Sequence, residues 1–270
     1  MDCIAIGPTI QIEISESPIS FETSGNDNWK IWDRYLCIEG KQAFHIGNIC
    51  DTCTFFFERL SGANQKISAK EVSDKLRSGL QNLDSEIVEK LQRLLPVGKF
   101  TPILWQWKPS LVTPGTASDY FAKEQIELWG LDGFWGLPHS PKTEYYRASS
   151  IRLDKTSGLF HFGVPIYPHT WLQKETLELY RNRVGRENPP TAVAISILDV
   201  KQPAVGNESS EFNSHYCFAH YLIDGHHKTY TAAATNSSCT LLSFIAHEKG
   251  TSSNDDIQKV VASSQTALNK

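Results

Sequence analysis

Residues 192–247 constrain this chain more than any other segment. Ala192 to Val200 and Tyr216 to Ile223 are apolar runs that read as strands. A further strand-like run, Leu241 to His247, closes the segment, and a helix from about His227 to Thr235 lies before it. Ala232, Ala233 and Ala234 allow that helix to pack closely. The junction between the second strand and the helix is Asp224-Gly225-His226-His227-Lys228. Two histidines and a lysine therefore stand at a helix N-terminus, just past the carboxyl end of a strand.

Such a position favours an anion, because the first backbone N–H groups have no intrahelical acceptor and the helix dipole is positive there. Lys228 would add charge to a phosphate, and Gly225 would let the backbone approach it. Asp224 could bind a metal or act as a general base. The plainer account is also physical. Asp-Gly is a common strand-to-helix turn, Asp224 could simply cap the helix, and paired histidines often face solvent.

The order strand, D-G-H-H-K, alanine-rich helix, strand resembles the phosphate-binding motif of the ParB/sulfiredoxin-like fold. ParB proteins carry G-E-R-R in this frame, sulfiredoxins G-C-H-R and the related free serine kinases D-G-H-T-R. Ala194 to Val200, followed by Pro203, resembles the family's first strand. The resemblance covers roughly residues 191–248. It implies nucleotide binding through the helix N-terminus, with Gly225, His226, His227 and Lys228 at the phosphates. Asp224 would activate a substrate hydroxyl, and His226 is the second catalytic candidate. Apart from the resemblance, the position of Asp199 near the end of the neighbouring strand suits it to help hold Mg²⁺. Three departures qualify the resemblance. His226 replaces the sulfiredoxin cysteine, which excludes sulfinic acid reduction by that route. Lys228 replaces the usual arginine and loses bidentate phosphate contact. The helix and strand that normally precede the motif are shortened to the polar loop Gly206 to Asn213.

The second cluster is in the N-terminal half. Cys50 and Cys53 form a C-x2-C, His45 precedes Cys50 by five residues, and Cys37 lies on the opposite arm of a hairpin expected over 33–46. Zinc takes four N or S ligands in a tetrahedron, so Cys37, His45, Cys50 and Cys53 would complete a structural site. Hairpin parity decides whether they can meet. A two-residue loop places Cys37 and His45 on opposite faces, and a three-residue loop, Glu39-Gly40-Lys41, places them on one. A redox dithiol would need the C-x2-C at a helix N-terminus. Phe55 to Leu60 fits a short helix that begins there. Two cysteines packed as small hydrophobes are the third account.

The rest of the chain sets bounds. Its 270 residues make one large domain or two ordinary ones. Thirty acidic against 26 basic residues give a net charge of −4, so extended nucleic-acid binding is not expected. There is no apolar run long enough for a membrane helix. Met1-Asp2-Cys3-Ile4 lacks the layout of an export signal, so reduced thiols and a cytoplasmic location are expected. Strands are expected in the first 20 residues, with a turn at Asn26-Asp27-Asn28. A helix opened by a Ser68–Glu71 capping box and one started by Asp84 or Ser85 should follow. A loop at 109–118 is the best domain boundary. Trp105 and Trp107 share a strand face and, with Trp129 and Trp135, could line an aromatic groove, although core packing is the commoner fate of such rings. His161 points away from Phe160 and Phe162. Cys239 has no local base and is not read as a nucleophile.

The expected architecture is α+β: a cysteine-bearing strand and helix region (1–110), an α+β region (111–250) ending in the small ParB/sulfiredoxin-like unit, and a frayed polar tail (251–270). The expected activity is nucleotide-dependent phosphoryl transfer or nucleotide hydrolysis on a nucleotide or other phosphorylated small molecule, with Mg²⁺. The competing expectation is a non-catalytic, zinc-stabilised binding protein that at most senses a nucleotide. No oligomeric state follows from the sequence.

Overall fold

A computed structural model describes residues 1–25, 30–132, 136–204 and 210–266. The turn expected at Asn26 to Asn28, Trp135, residues 205–209 of the polar loop and the last four residues lie outside the described residues. In chain order the strands are β1 (Asp2–Ile6), β2 (Ile10–Ile12), β3 (Ile19–Ser24), β4 (Asp33–Ile38), β5 (Lys41–Asn48), β6 (Glu58–Arg59), β7 (Gly98–Trp107), β8 (Ser110–Val112), β9 (Tyr145–Arg147), β10 (Ile151–Arg152), β11 (Ser157–Pro165), β12 (Thr191–Lys201), β13 (Ser214–Asp224) and β14 (Cys239–Ala246). The α-helices are α1 (Ser73–Ser78), α2 (Ser85–Gln92), α3 (Glu124–Trp129), α4 (Lys174–Arg181), α5 (His226–Ala234) and α6 (Asn254–Thr266). The class is α+β, as expected.

The two apolar runs, β12 and β13, are antiparallel neighbours in the middle of a ten-stranded mixed sheet, ordered β1-β7-β14-β12-β13-β11-β9-β8. β2 joins at β7 and β10 at β11. Both faces of β12 and β13 are covered, which is why these strands read as runs rather than alternations. One face carries Val193, Ile195 and Ile197, in a core shared with Phe44, Phe57, Phe121 and the helix α2. The other carries Ala192, Ala194 and Leu198 with Trp105, Trp107 and α6.

The second face is concave. In a flat sheet, β7 and β11 would stand about 19 Å apart, four strand steps of about 4.8 Å. Yet the Trp105 ring lies 5.7 Å from the His161 ring, and a Cβ on Gly163 would come within 2.3 Å of Trp107. The sheet curls until these indoles reach across it, and glycine at 163 permits the approach. The tryptophans Trp105 and Trp107, expected as groove or core, are core.

A four-stranded antiparallel sheet, β3-β4-β5-β6, packs on the opposite face of the large sheet. A buried ion pair joins the two sheets. The Arg34 guanidinium in β4 donates to both carboxylate oxygens of Asp199 in β12, at 3.0 and 2.7 Å. It also donates to the carbonyls of Lys249 and Asn48, at 2.6 and 2.9 Å.

Several expectations need correction. The boundary near residue 110 falls inside the ten-stranded sheet, since β1, β2 and β7 precede it and β8 to β14 follow it. Phe55 to Leu60 is extended rather than helical. Phe55 and Phe57 are buried while Phe56 is partly exposed, a period of two, and β6 then pairs with β5. The Ser68–Glu71 capping box does not form, and α1 begins only at Ser73. Asp84 does cap α2, accepting from the Glu86 and Ile87 N–H groups. The tail carries a helix, α6, over Asn254–Thr266. α6 buries Ile257 and Val260, and Ser253 and Asp256 cap its start reciprocally. Among the described residues, no helix is long and apolar enough to cross a membrane.

Candidate functional site

The D-G-H-H-K turn has the geometry its sequence implies. β13 ends at Asp224, Gly225 turns the chain with φ of 93°, and α5 begins at His226. Only glycine adopts that φ without strain. Space demands glycine as well, because a Cβ at 225 would lie 2.6 Å from the Ala192 Cβ. The first N–H groups of α5 are left without intrahelical acceptors.

The side chains behave less as expected. Lys228 is buried, and its Nζ donates to Asp224 Oδ2 and to the Thr191 carbonyl, both at 2.8 Å. Two of its three donors are therefore spent inside the protein. His226 is 3% exposed. Its Nε2 accepts the Ile166 N–H at 3.1 Å, and its ring stacks on Tyr167 at 3.7 Å. Nδ1 must carry the proton of this neutral ring, and burial pushes its pKa down to about 3. His227 is partly exposed, and its Nε2 accepts the N–H of Gln173, the residue before α4. Burial, then the nearby Lys66 ammonium, lowers its pKa. Burial alone would raise the Asp224 pKa, but the Lys228 charge and hydrogen bond outweigh it and hold the carboxyl ionised.

A cavity of about 110 Å³ opens at this turn. Asp224 to Lys228 form one wall, and Ser73, Tyr167, Thr176 and Tyr180 supply hydroxyls. Thr176 lies in the first turn of α4, and His226 opens α5. The cavity thus lies between the start of α5, with its positive dipole end, and the flank of α4 that carries Thr176 and Tyr180. Residue spacing gave no sign of the Ser73, Thr176 and Tyr180 contributions, because long-range packing of α1 and α4 brings them there. Tyr167 belongs to the Pro165–Pro168 turn, which the sequence shows as rigid but not as part of a site.

Asp199 is elsewhere. Val193 stands opposite Asp224, and Asp199 is six residues further along β12, about 20 Å at the usual strand rise. Its carboxylate is filled by Arg34 and by the Thr251 N–H at 2.9 Å. It belongs to the inter-sheet ion pair and cannot share a cation with Asp224.

The four expected zinc ligands are not gathered at one point. The hairpin turn has two residues, Glu39 and Gly40, both at positive φ. A bulge that leaves Ala43 unpaired then reverses the parity and puts Cys37 and His45 on one face after all. There they take other partners. The His45 Nε2 lies 2.9 Å from Asp33 Oδ1, and its ring stacks on Tyr35. Cys37 is fully buried, with burial and a hydrogen bond to Glu22 pushing its thiol up to about 12. Cys50 and Cys53 sit together in the turn after β5. Among the described residues, no three His, Cys, Asp or Glu side chains converge as metal ligands.

Elsewhere, His161 is buried and hydrogen-bonded to His220, at 3.0 Å between Nδ1 and Nε2. His220 in turn meets the Ser196 hydroxyl at 2.8 Å. The Cys239 thiol is buried and pushed up to about 12, as befits a packing residue. Comparison of the chain with family models, with curated proteins and with solved structures finds no match.

Proposed function

We propose that the cavity at the α5 N-terminus binds the phosphate of a nucleotide or other phosphorylated small molecule, and that Asp224 serves phosphoryl transfer or nucleotide hydrolysis there. The observation that carries this reading is the opening of α5, with its unpaired first N–H groups, at a cavity lined by the hydroxyl-bearing residues Ser73, Tyr167, Thr176 and Tyr180. The volume suits a phosphate group with a few waters, so the nucleoside would lie over the rim. Asp224 is the one carboxylate among the residues lining the cavity. Mg²⁺ commonly reaches such sites on the substrate phosphates with one or two protein carboxylates, and this donor set fits that arrangement. When bound, the ion would neutralise phosphate charge. Asp224, held ionised by Lys228, would accept the proton of the attacking hydroxyl or water as the new P–O bond forms and the bond to the leaving group breaks.

One observation favours a second reading, binding without turnover. The side chains of His226 and Lys228 are already engaged inside the fold, so the recognition left to the motif comes mainly from backbone N–H groups.

A thermal-shift series with ATP, CTP, GTP and UTP plus Mg²⁺ tests both. A ligand at 100 times its Kd adds about 2.7 kcal/mol. With an unfolding entropy of about 2.1 cal/mol/K per residue, that raises the Tm of this chain by about 5 °C. No shift with any nucleotide or with inorganic phosphate overturns the site. Given a shift, Asp224→Asn should lose turnover under the first reading while the shift with inorganic phosphate in the absence of Mg²⁺ is kept. Under the second, the wild-type protein binds and does not turn over.

A further inference from the structure

The six cysteines divide sharply. Cys3, Cys37, Cys217 and Cys239 are at most 1% exposed, whereas Cys50 and Cys53 are both reachable from solvent. These two also share one tight turn, close enough for each thiol to shift the other's titration. The Cys50 sulfur also has a hydroxyl partner. The Thr52 hydroxyl lies 3.1 Å from it. In many reactive dithiols a helix N-terminus supplies donors to the thiolate. No helix follows this C-x2-C, and the turn itself supplies this hydroxyl.

The turn is fastened on three sides. The Asp51 carbonyl accepts the Gln202 N–H at 3.0 Å, the Thr52 carbonyl accepts the Trp129 indole N–H at 3.4 Å, and the Cys50 carbonyl accepts the buried Lys201 ammonium. The turn that carries both thiols is thus held in place, with the Lys201 cation near Cys53. A structural zinc ion needs two further ligands, and His45 and Cys37 are engaged with Asp33 and Glu22.

We infer that Cys50 and Cys53 form an accessible dithiol that exchanges with a low-molecular-weight disulfide of the glutathione class and closes to an intramolecular disulfide. Cys50, as thiolate, attacks one sulfur of the small disulfide. Its S–S bond breaks, a mixed disulfide forms and one thiolate leaves, taking up the proton Cys50 gave to solvent. Cys53 then loses its proton and attacks the Cys50 sulfur, and the second small thiol leaves. The protein loses two electrons and two protons, and the small disulfide becomes two thiols.

The test uses the reduced full chain in buffers of increasing oxidised-to-reduced glutathione ratio, followed by acid quench, alkylation and peptide mass mapping. The expected result is a peptide lighter by two hydrogens that spans Cys50 and Cys53, with no change at the other four cysteines. Cys53→Ser should stop at a glutathione adduct on Cys50, and Cys50→Ser should react slowly at Cys53. The inference is overturned if both thiols of the wild-type chain remain alkylatable at every ratio. It is also overturned if the purified chain carries stoichiometric zinc that blocks alkylation until a chelator is added.

Discussion

Replacing Asp199 with asparagine tests the central ion pair and separates it from the site at α5. The substitution keeps the side-chain shape and an acceptor for the Thr251 N–H. It leaves the Arg34 guanidinium, itself buried, without a counter-charge. Breaking a buried pair from one side costs about 3–5 kcal/mol, because the remaining charge stays desolvated. An unfolding entropy of about 2.1 cal/mol/K per residue over this chain gives roughly 1.8 °C per kcal/mol, so the Tm should fall by about 5–9 °C. Arg34→Met combined with Asp199→Leu removes both charges. It also strips donors from the Lys249 and Asn48 carbonyls, so it should recover only part of the loss. Differential scanning calorimetry and urea titration of both variants measure this. A loss below about 1 kcal/mol for Asp199→Asn would refute the argument that the pair clamps the two sheets. The nucleotide-induced shift of the folded variant should match wild type, since Asp199 lies about 20 Å from Asp224 along the strand. A lost shift with unchanged stability would restore Asp199 to the site.

Two further outcomes follow from the geometry. Gly225→Ala should cost about 2–5 kcal/mol, combining left-handed strain of about 1–2 with overpacking of about 1–3, since its Cβ would meet both the Cβ and the Cα of Ala192. Ala192→Gly should rescue it only partly, and full rescue in a chemical denaturation cycle would contradict the assigned strain. Stability should also fall in acid: burial lowers the pKa values of His215, His220 and His226 to about 3, below the value of about 6.5 in the unfolded chain. The neutral rings are favoured by folding, so their contribution is complete above about pH 6.5 and is lost as pH falls towards 3, at roughly 2 kcal/mol each by pH 5. A urea midpoint that stays flat from pH 7 to pH 5 would show that these rings are not buried as described.

What could be read from residues and what could not divides along the range of the interaction. The strands β12, β13 and β14 and the helix α5 were legible because burial on both faces writes continuous apolar runs, and because Asp-Gly before a helix has a local conformational meaning. Asp84 at the start of α2 was legible for the same reason. Phe55 to Phe57 was not, since three aromatic residues suit either period, and only the core around Phe121 and Phe162 selects the extended form. Loop length alone sets hairpin parity at Cys37 and His45 only while the strands stay regular; the bulge at Ala43 reverses it, and a bulge is decided by the packing of the sheet beneath.

The sequence by itself determined the turn at 224–228: which residue needs a positive φ, where the helix begins and which N–H groups are left over. Those are properties of a few adjacent residues. Only the tertiary structure decided what the side chains of the motif do. It turned Lys228 and His226 inward to the Thr191 carbonyl and the Ile166 N–H, took Asp199 away to Arg34, and brought Ser73 and Thr176 to the cavity. A buried polar atom must find a partner wherever the fold puts one, and no local pattern says where that will be.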